Sequence, residues 1–327
     1  MASTATAAVP EVALQSGNAR PMPALGMGTA TYPVVQEATK NAVLAAIEAG
    51  FRHFDTASMY RTEKPLGDAV AEAVRRGLLR SREEVFITSK LWCTQCHPDL
   101  VLPSLHETLQ NLQMEYLDLY LIHWPVSLKP GPITFPAKKE DAVPFDFEGM
   151  WRAMEECQRS GLVRAIGVSN FTTMHLDRIL PIATIPPAVN QVKLNPVWQQ
   201  RTLRRYCAEK GIHLAAYSPL GGQNLEGGGN AVLDSDVLAE IAKTRGKTIA
   251  QVSLRWIYEQ GVTSIVKSYN KERLKQNLEI FDWELTDEDR LKISRIPQKK
   301  NVSATRLFSP EGEFTSVKLS DLNIADE

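Results

Sequence analysis

Between residues 25 and 266 the chain alternates eight times between short apolar runs of strand character and longer amphipathic stretches of helical period. The strand runs fall at 25–28, 52–55, 85–89, 117–122, 165–168, 188–192, 213–217 and 263–266. Helical stretches include 39–49, 63–76, 147–160, 200–210 and 249–258, with Gly50, Gly161 and Gly211 where helix C-caps belong. Strands that are apolar throughout bury both faces by lying side by side in parallel with helices packed outside. Eight such units, with no shift in composition to mark a second domain, predict a single (β/α)8 TIM barrel in the α/β class.

Ahead of the first unit, Val12-Ala13-Leu14 and Met22-Pro23-Ala24 flank Ser16-Gly17-Asn18 and read as an N-terminal β-hairpin. Residues 1–10 read as a disordered tail, and residues 11–327 as one barrel domain. Three segments, 126–144, 221–230 and 297–327, are too long and too rich in Gly and Pro for simple connections. The first two are expected as lids over the C-terminal face of the barrel, and the third as a covering loop.

Bulk properties narrow the function. With 37 basic against 38 acidic residues, the chain has no field to draw nucleic acid or a membrane surface. No apolar run approaches the roughly 18 residues of a membrane helix. The first residues lack the apolar core and basic flank of a secretory signal. The four cysteines, Cys93, Cys96, Cys157 and Cys207, have no framework spacing, which fits a reducing, cytoplasmic setting. Cys93-Thr94-Gln95-Cys96-His97 spells the attachment string of a c-type haem, but nothing exports the chain, and the string reads as a plain loop. No metal enters this reading.

Chemistry concentrates at the C-terminal ends of the second, third and fourth strand runs. Asp55 and Tyr60 follow the second, Lys90 closes the third and His123 closes the fourth. In a parallel barrel these ends share one face, where active sites are built. A carboxylate, a phenol, an ammonium and an imidazole gathered there make a proton-donating site. Free tyrosine has a pKa of about 10, and bringing it towards 7 takes roughly 4 kcal/mol of phenolate stabilisation. Lys90 is expected to supply this at contact distance, with Asp55 as its counter-charge and His123 directing a substrate oxygen.

The later strands supply a second set. Ser169, Asn170 and Gln191 can recognise an amide, and Tyr217 offers a flat face to a heteroaromatic ring, a lining suited to a nicotinamide. Strand eight runs into Lys267-Ser268-Tyr269-Asn270, and Lys271-Glu272-Arg273 opens the next helix. A helix N-terminus with Lys267 and Arg273 suits an additional phosphate. No strand-linked G-x-G-x-x-G occurs, so a Rossmann mode is not indicated, and Gly227-Gly228-Gly229 reads as a belt or hinge.

After residue 11 the chain resembles the aldo-keto reductases over essentially its whole length. The resemblance rests on Met22-Pro23-Ala24-Leu25-Gly26-Met27-Gly28-Thr29, Phe51-Arg52-His53-Phe54-Asp55-Thr56-Ala57 with Tyr60, Lys90-Leu91-Trp92, His123-Trp124-Pro125, Gly167-Val168-Ser169-Asn170-Phe171 and Lys267-Ser268-Tyr269-Asn270. It is similar most of all to the plant branch that includes chalcone reductases, codeinone reductases and deoxymugineic acid synthases. The resemblance implies NADPH/NADP+ as cofactor and a catalytic tetrad at Asp55, Tyr60, Lys90 and His123. It further implies cofactor contacts at Gly28, Thr29, Asp55, Ser218, Leu220, Ser268, Tyr269, Asn270, Gln276 and Asn277, and a monomer. Trp92 and Trp124 are expected as aromatic walls of the substrate pocket. Two departures stand out: Ala30 where many relatives carry tryptophan, and Tyr60-Arg61-Thr62-Glu63 in place of the usual Tyr-x-Asn-Glu.

The function expected is NADPH-dependent reduction of aldehydes and ketones, in specialised metabolism or in detoxification of reactive carbonyls and xenobiotics. Two other readings compete: a barrel lyase forming a Schiff base on Lys90, and a nucleotide-binding regulatory subunit, for which a complete tetrad is not required.

Overall fold

The computed structural model describes residues 8–16, 19–134, 136–222 and 229–298, together with two short antiparallel strands, Glu313–Phe314 and Val317–Lys318. Eight parallel strands close a barrel in chain order. They are β1 (Leu25–Gly28), β2 (His53–Asp55), β3 (Phe86–Leu91), β4 (Leu117–Ile122), β5 (Val163–Ser169), β6 (Val189–Lys193), β7 (His213–Tyr217) and β8 (Thr263–Val266). Outside lie α1 (Gln36–Ala49), α2 (Glu63–Arg75), α3 (Pro98–Leu112), α4 (Phe147–Arg159), α5 (Thr173–Ile179) and α6 (Arg201–Glu209). Helices α7 (Asp236–Arg245), α8 (Ile249–Glu259), α9 (Lys271–Leu278) and α10 (Asp287–Ser294) complete the ring.

The side-chain period of two in a strand decides what enters the lumen. Phe86, Leu119, Leu121, Ala165, Val189 and Ala215 form one buried cluster. Their neighbours Ile87, Tyr120, Ile122, Ile166, Val168, Leu214 and Ala216 pack into the separate cluster shared with the helices. Continuing the inward parity by even steps reaches Lys90 from Phe86, His123 from Leu121, Ser169 from Ala165, Gln191 from Val189 and Tyr217 from Ala215. The apolar alternation that builds the core therefore also aims the polar strand-end residues into the barrel mouth.

Register brings those ends level. Gly28 pairs with Asp55, Asp55 with Thr88, Lys90 with Leu121, Ile122 with Val168, Ser169 with Gln191 and Lys193 with Tyr217. Glycine is needed within β1, because a Cβ on Gly26 would lie 2.8 Å from the His53 ring. At the opposite end, strands Glu11–Val12 and Met22–Pro23 form the expected hairpin, and Met22 inserts beneath the luminal cluster.

Three segments have more structure than their sequence suggests. Residues 8–10 do not behave as a tail: Val9 packs on the core, and the Pro10 carbonyl accepts the Ala24 N–H at 2.8 Å. Segment 126–144 holds its own two-stranded sheet, Ser127–Leu128 against Ala142–Val143. It is fastened to the segment after β3, where Ser127 Oγ donates to the Cys96 carbonyl at 2.6 Å and His97 Nε2 meets the Leu128 carbonyl at 2.8 Å. The Cys93–His97 string is thus the seat of this hairpin, with both cysteines buried as free thiols. Residues 1–7, 223–228 and most of 297–327 lie outside the described residues, so the calls on those segments rest on sequence alone. No helix among the described residues is long and apolar enough to cross a membrane.

Candidate active site

The barrel mouth brings Asp55, Tyr60, Lys90 and His123 together. Lys90 is fully buried; its Nζ donates to Asp55 Oδ1 at 2.6 Å and to the Thr56 carbonyl at 2.9 Å. The second Asp55 oxygen accepts from Gln191 Nε2 at 2.8 Å. Tyr60 closes a single 3-10 turn, Ser58–Tyr60, after β2. Its Oη lies 3.3 Å from His123 Nε2, and the rings meet edge to face at 5.4 Å. The Lys90 ammonium sits 4.9 Å from the centre of the Tyr60 ring.

Protonation differs from the sequence expectation in one respect. Burial, followed by the charge of Asp55, pushes the Tyr60 hydroxyl above its ordinary pKa, so Lys90 does not draw it towards neutrality. The reason is geometric. Lys90 is committed to Asp55 at contact distance, and the negative partner offsets its charge at the phenol. Burial likewise pulls Lys90 down against the opposing effect of Asp55. The phenol therefore holds its proton at physiological pH, which is the state a proton donor requires.

His123 is driven well below the usual imidazole range by burial and then by the Lys90 charge, which makes it neutral. Its Nδ1 is buried with no hydrogen-bond partner among the described residues. A lone pair tolerates that position better than an N–H does, which places the ring proton on Nε2, facing Tyr60 Oη. Nε2–H then donates to the phenol oxygen, and the phenol O–H is left to donate elsewhere. Trp92 supports the imidazole edge-on at 5.1 Å.

A continuous polar patch runs from this group to β7. The Tyr217 hydroxyl donates to Asn170 Oδ1 at 2.8 Å, and Asn170 Nδ2 donates to the His123 carbonyl at 2.9 Å and to Ser169 Oγ at 3.2 Å. Ser169 Oγ donates to the Gln191 carbonyl at 2.8 Å. Asn170 and Ser218 adopt the left-handed region, with φ of 62° and 49°. For Asn this conformation is common among non-glycine residues. Tyr217 is only partly buried and its hydroxyl is tethered, so its ring is fixed at the mouth.

Across the mouth, Asn270 caps α9 by accepting the Arg273 N–H at 2.9 Å, and Ser268 Oγ accepts the Asn270 N–H at 3.2 Å. Lys267 and Arg273 are exposed beside this helix start, and partial burial lowers the Lys267 ammonium. Tyr269 Oη joins Thr39 Oγ1 at 3.0 Å and ties the segment to α1. Gln276 is exposed on the second turn, whereas Asn277 shares the buried face with Leu274 and Leu278. Leu220 is half-buried against the main core. Gly28 has Ile265 close at hand, and Thr29 N–H and Oγ1 both donate to the Asp55 carbonyl at 3.0 Å.

Trp92 and Trp124 are 6% and 4% exposed, and with Val126, Leu128 and Ala137 they form an apolar cluster under the 126–144 hairpin. They are its inner wall, and Met59, next to Tyr60, packs against them. Ala30 is exposed at the rim. Met59, Thr56, Thr62 and Glu63 were not among the expected site residues; Thr56, Thr62 and Glu63 stood in the sequence as motif positions, and Met59 only as a neighbour of Tyr60.

A parallel barrel with a phenol, an imidazole and a buried ion pair at its mouth is suited to giving a proton to a carbonyl oxygen. The Aldo/keto reductase family profile matches residues 24–297, and the chain belongs to that family. Deoxymugineic acid synthase 1-D of Triticum aestivum is 56% identical over 297 residues, covering 91% of this chain and 95% of the relative. The (1S)-1,7-diacetoxy-luvungin A aldo-keto reductase of Citrus sinensis is 55% identical over 311 residues, covering 95% and 97%. Among solved structures, an aldo-keto reductase of Bombyx mori in complex with NADP superposes with a TM-score of 0.80 at 35% identity, covering 89% of this chain and 94% of that one. The protein is an NADP-dependent reductase of small carbonyl compounds, which sets aside the lyase and regulatory readings.

Proposed function

We propose that Tyr60 is the proton donor, that His123 orients the carbonyl oxygen, and that Lys90 and Asp55 form the buried pair that holds the site's charge balanced. The observation that carries this reading is the Tyr60 Oη to His123 Nε2 contact at 3.3 Å beside the Lys90–Asp55 pair at 2.6 Å. A carbonyl oxygen placed near both groups meets the free phenol O–H, with the neutral imidazole N–H beside it. NADPH, when bound, would supply the hydride for the carbonyl carbon; Tyr60 would give its proton to the carbonyl oxygen, and solvent would return a proton to the phenolate.

The residues present fit that cofactor. Ser169, Asn170 and Gln191 present a hydrogen-bonded amide surface continuous with the tetrad, and Tyr217 presents a ring with a fixed face. We assign Gly28, Thr29, Ser218, Leu220, Ser268, Tyr269, Asn270, Gln276 and Asn277 to the contacts of the same cofactor. Lys267 and Arg273, exposed at the N-terminus of α9, suit the phosphate that distinguishes NADPH from NADH.

The substrate is a carbonyl of plant specialised metabolism or a reactive carbonyl to be detoxified. The chain is as similar to a deoxymugineic acid synthase as to a luvungin-modifying reductase, and Ala30 leaves the rim open. The barrel acts as one unit, working as a monomer in the cytoplasm. A panel of aldehydes and ketones scored by NADPH oxidation tests the reading; no turnover of any carbonyl would end it.

A further inference from the structure

Glu63 opens α2 with a carboxylate only 3% exposed, and its three hydrogen-bond partners are all neutral. Ser89 Oγ and Thr108 Oγ1 donate to Oε1 at 2.7 and 2.9 Å, and Asn111 Nδ2 donates to Oε2 at 3.0 Å. Burying an unpaired carboxylate is costly, and the three donors with the positive end of α2 offset that cost. The placement matters more than the count. Ser89 lies on β3 immediately before Lys90, and Thr108 and Asn111 lie on α3. Glu63 therefore ties the start of α2 to the strand that carries Lys90. The helices come close enough for this because of Gly67, one turn further on, where a Cβ would lie 2.2 Å from the Leu112 carbonyl oxygen.

Tyr60 precedes Glu63 by three residues, and Arg61 between them turns through the left-handed region at φ 55°. Thr62 fixes the same segment from the other side. Thr29 Oγ1 spends its hydrogen on the Asp55 carbonyl, so Thr62 Oγ1 must donate to Thr29 Oγ1 at 2.8 Å, and Thr56 Oγ1 to Thr62 Oγ1 at 2.9 Å. Each hydroxyl has one hydrogen, so the direction of the chain is determined. The Thr56 carbonyl at its end accepts from Lys90 Nζ. The short run from Tyr60 to Glu63 is held between β1 and β2 on one side and β3 and α3 on the other, with little slack for the phenol.

We propose that Glu63 is a positioning residue for the proton donor: through Ser89 it sets where Tyr60 Oη stands relative to Lys90 and His123. The proposal rests on Tyr60 being that donor. Glu63→Met removes both acceptor oxygens, and with them all three hydrogen bonds, while keeping side-chain volume, whereas Glu63→Gln retains an acceptor and can keep its three contacts if Asn111 turns its amide. Since a misplacement near 1 Å costs on the order of 100-fold in rate, kcat of Glu63→Met should fall about 10- to 100-fold. Its solvent deuterium isotope effect on kcat should rise, because proton transfer becomes slower relative to the other steps. NADPH affinity, read by tryptophan quenching, should change little, and Glu63→Gln should stay within about threefold of the parent.

A merely structural carboxylate predicts something else. Glu63→Met would then melt lower but keep the parental kcat and isotope effect well below its melting temperature, and that result overturns the proposal. Equal kcat losses in the Met and Gln variants overturn it too. If Glu63→Met does not fold, Ser89→Ala removes one donor alone; a several-fold loss in kcat with a raised isotope effect supports the role, and parental kinetics refute it. Tyr60→Phe runs alongside: parental activity there would defeat the proton-donor assignment itself, whereas an inactive Tyr60→Phe with a fully active Glu63→Met defeats only the positioning claim.

Discussion

Replacing Lys90 with methionine should destabilise the barrel by about 3–5 kcal/mol, the cost of leaving one member of a buried ion pair without its partner. Lys90 is fully buried, and its ammonium is 2.6 Å from Asp55. Methionine is close to it in volume, so the loss is mainly electrostatic. Asp55 would be left with Gln191 as its donor at 2.8 Å, and the Thr56 carbonyl would lose the donor it now has at 2.9 Å. With a urea m-value of about 3 kcal/mol/M, the unfolding midpoint at pH 7 should drop by about 1–1.7 M. If the unpaired charge causes the loss, making Asp55 neutral must relieve it. The double variant Lys90→Met/Asp55→Asn should recover at least half of the midpoint shift, followed by tryptophan fluorescence. A single variant within about 0.3 M of the parent, or a double variant no more stable than the single, would refute the assignment of Lys90–Asp55 as a charge-balancing pair.

Other outcomes follow from the same geometry. Lys267→Ala and Arg273→Ala should each weaken NADPH by about 10- to 150-fold and NADH far less, since one charge-assisted hydrogen bond contributes about 1.5–3 kcal/mol; equal losses for the two cofactors in a fluorescence titration would move the phosphate elsewhere. His53, buried in the lumen against Gly26, has its pKa lowered from 6.5 to about 4, chiefly by burial. The unfolded chain therefore takes up a proton that the folded one refuses as pH falls from 6.5 to 4. Stability should decline by about 3 kcal/mol through that window from this group, with His213 adding to it, and then level off. Urea midpoints of His53→Gln should show a shallower slope there, and an unchanged slope would contradict the account.

Much of the barrel was legible because two signals agree. The period-two apolar pattern that places Leu119 and Leu121 inward also carries His123 inward, and the same rule reaches Lys90, Ser169, Gln191 and Tyr217. Strand bounds moved by a residue or two, as where β3 extends through Leu91. What sequence could not supply was how charges share partners. From residue types alone Lys90 was a neighbour for Tyr60; in space Asp55 and Thr56 take two of its three hydrogens, and the phenol keeps its proton. The 126–144 hairpin was hidden because two strands of two residues have no periodicity to read, and their anchors, Cys96 and His97, lie some 30 residues upstream. Glu63 was visible only as a motif position, since its partners on β3 and α3 become neighbours through the close approach of α2 and α3 at Gly67.

The central claim is that this barrel reduces carbonyls with Tyr60 as its acid. Tyr60→Phe leaves the ring, its edge-to-face contact with His123 and the Lys90 cation over its face in place, and removes only the hydroxyl. The rate of carbonyl reduction at saturating NADPH, measured beside NADPH affinity on the same preparation, isolates that hydroxyl. General-acid catalysis contributes about 10²–10⁴-fold, so kcat should fall by at least that order while cofactor affinity stays near the parental value. A Tyr60→Phe enzyme retaining half of its turnover would contradict the account.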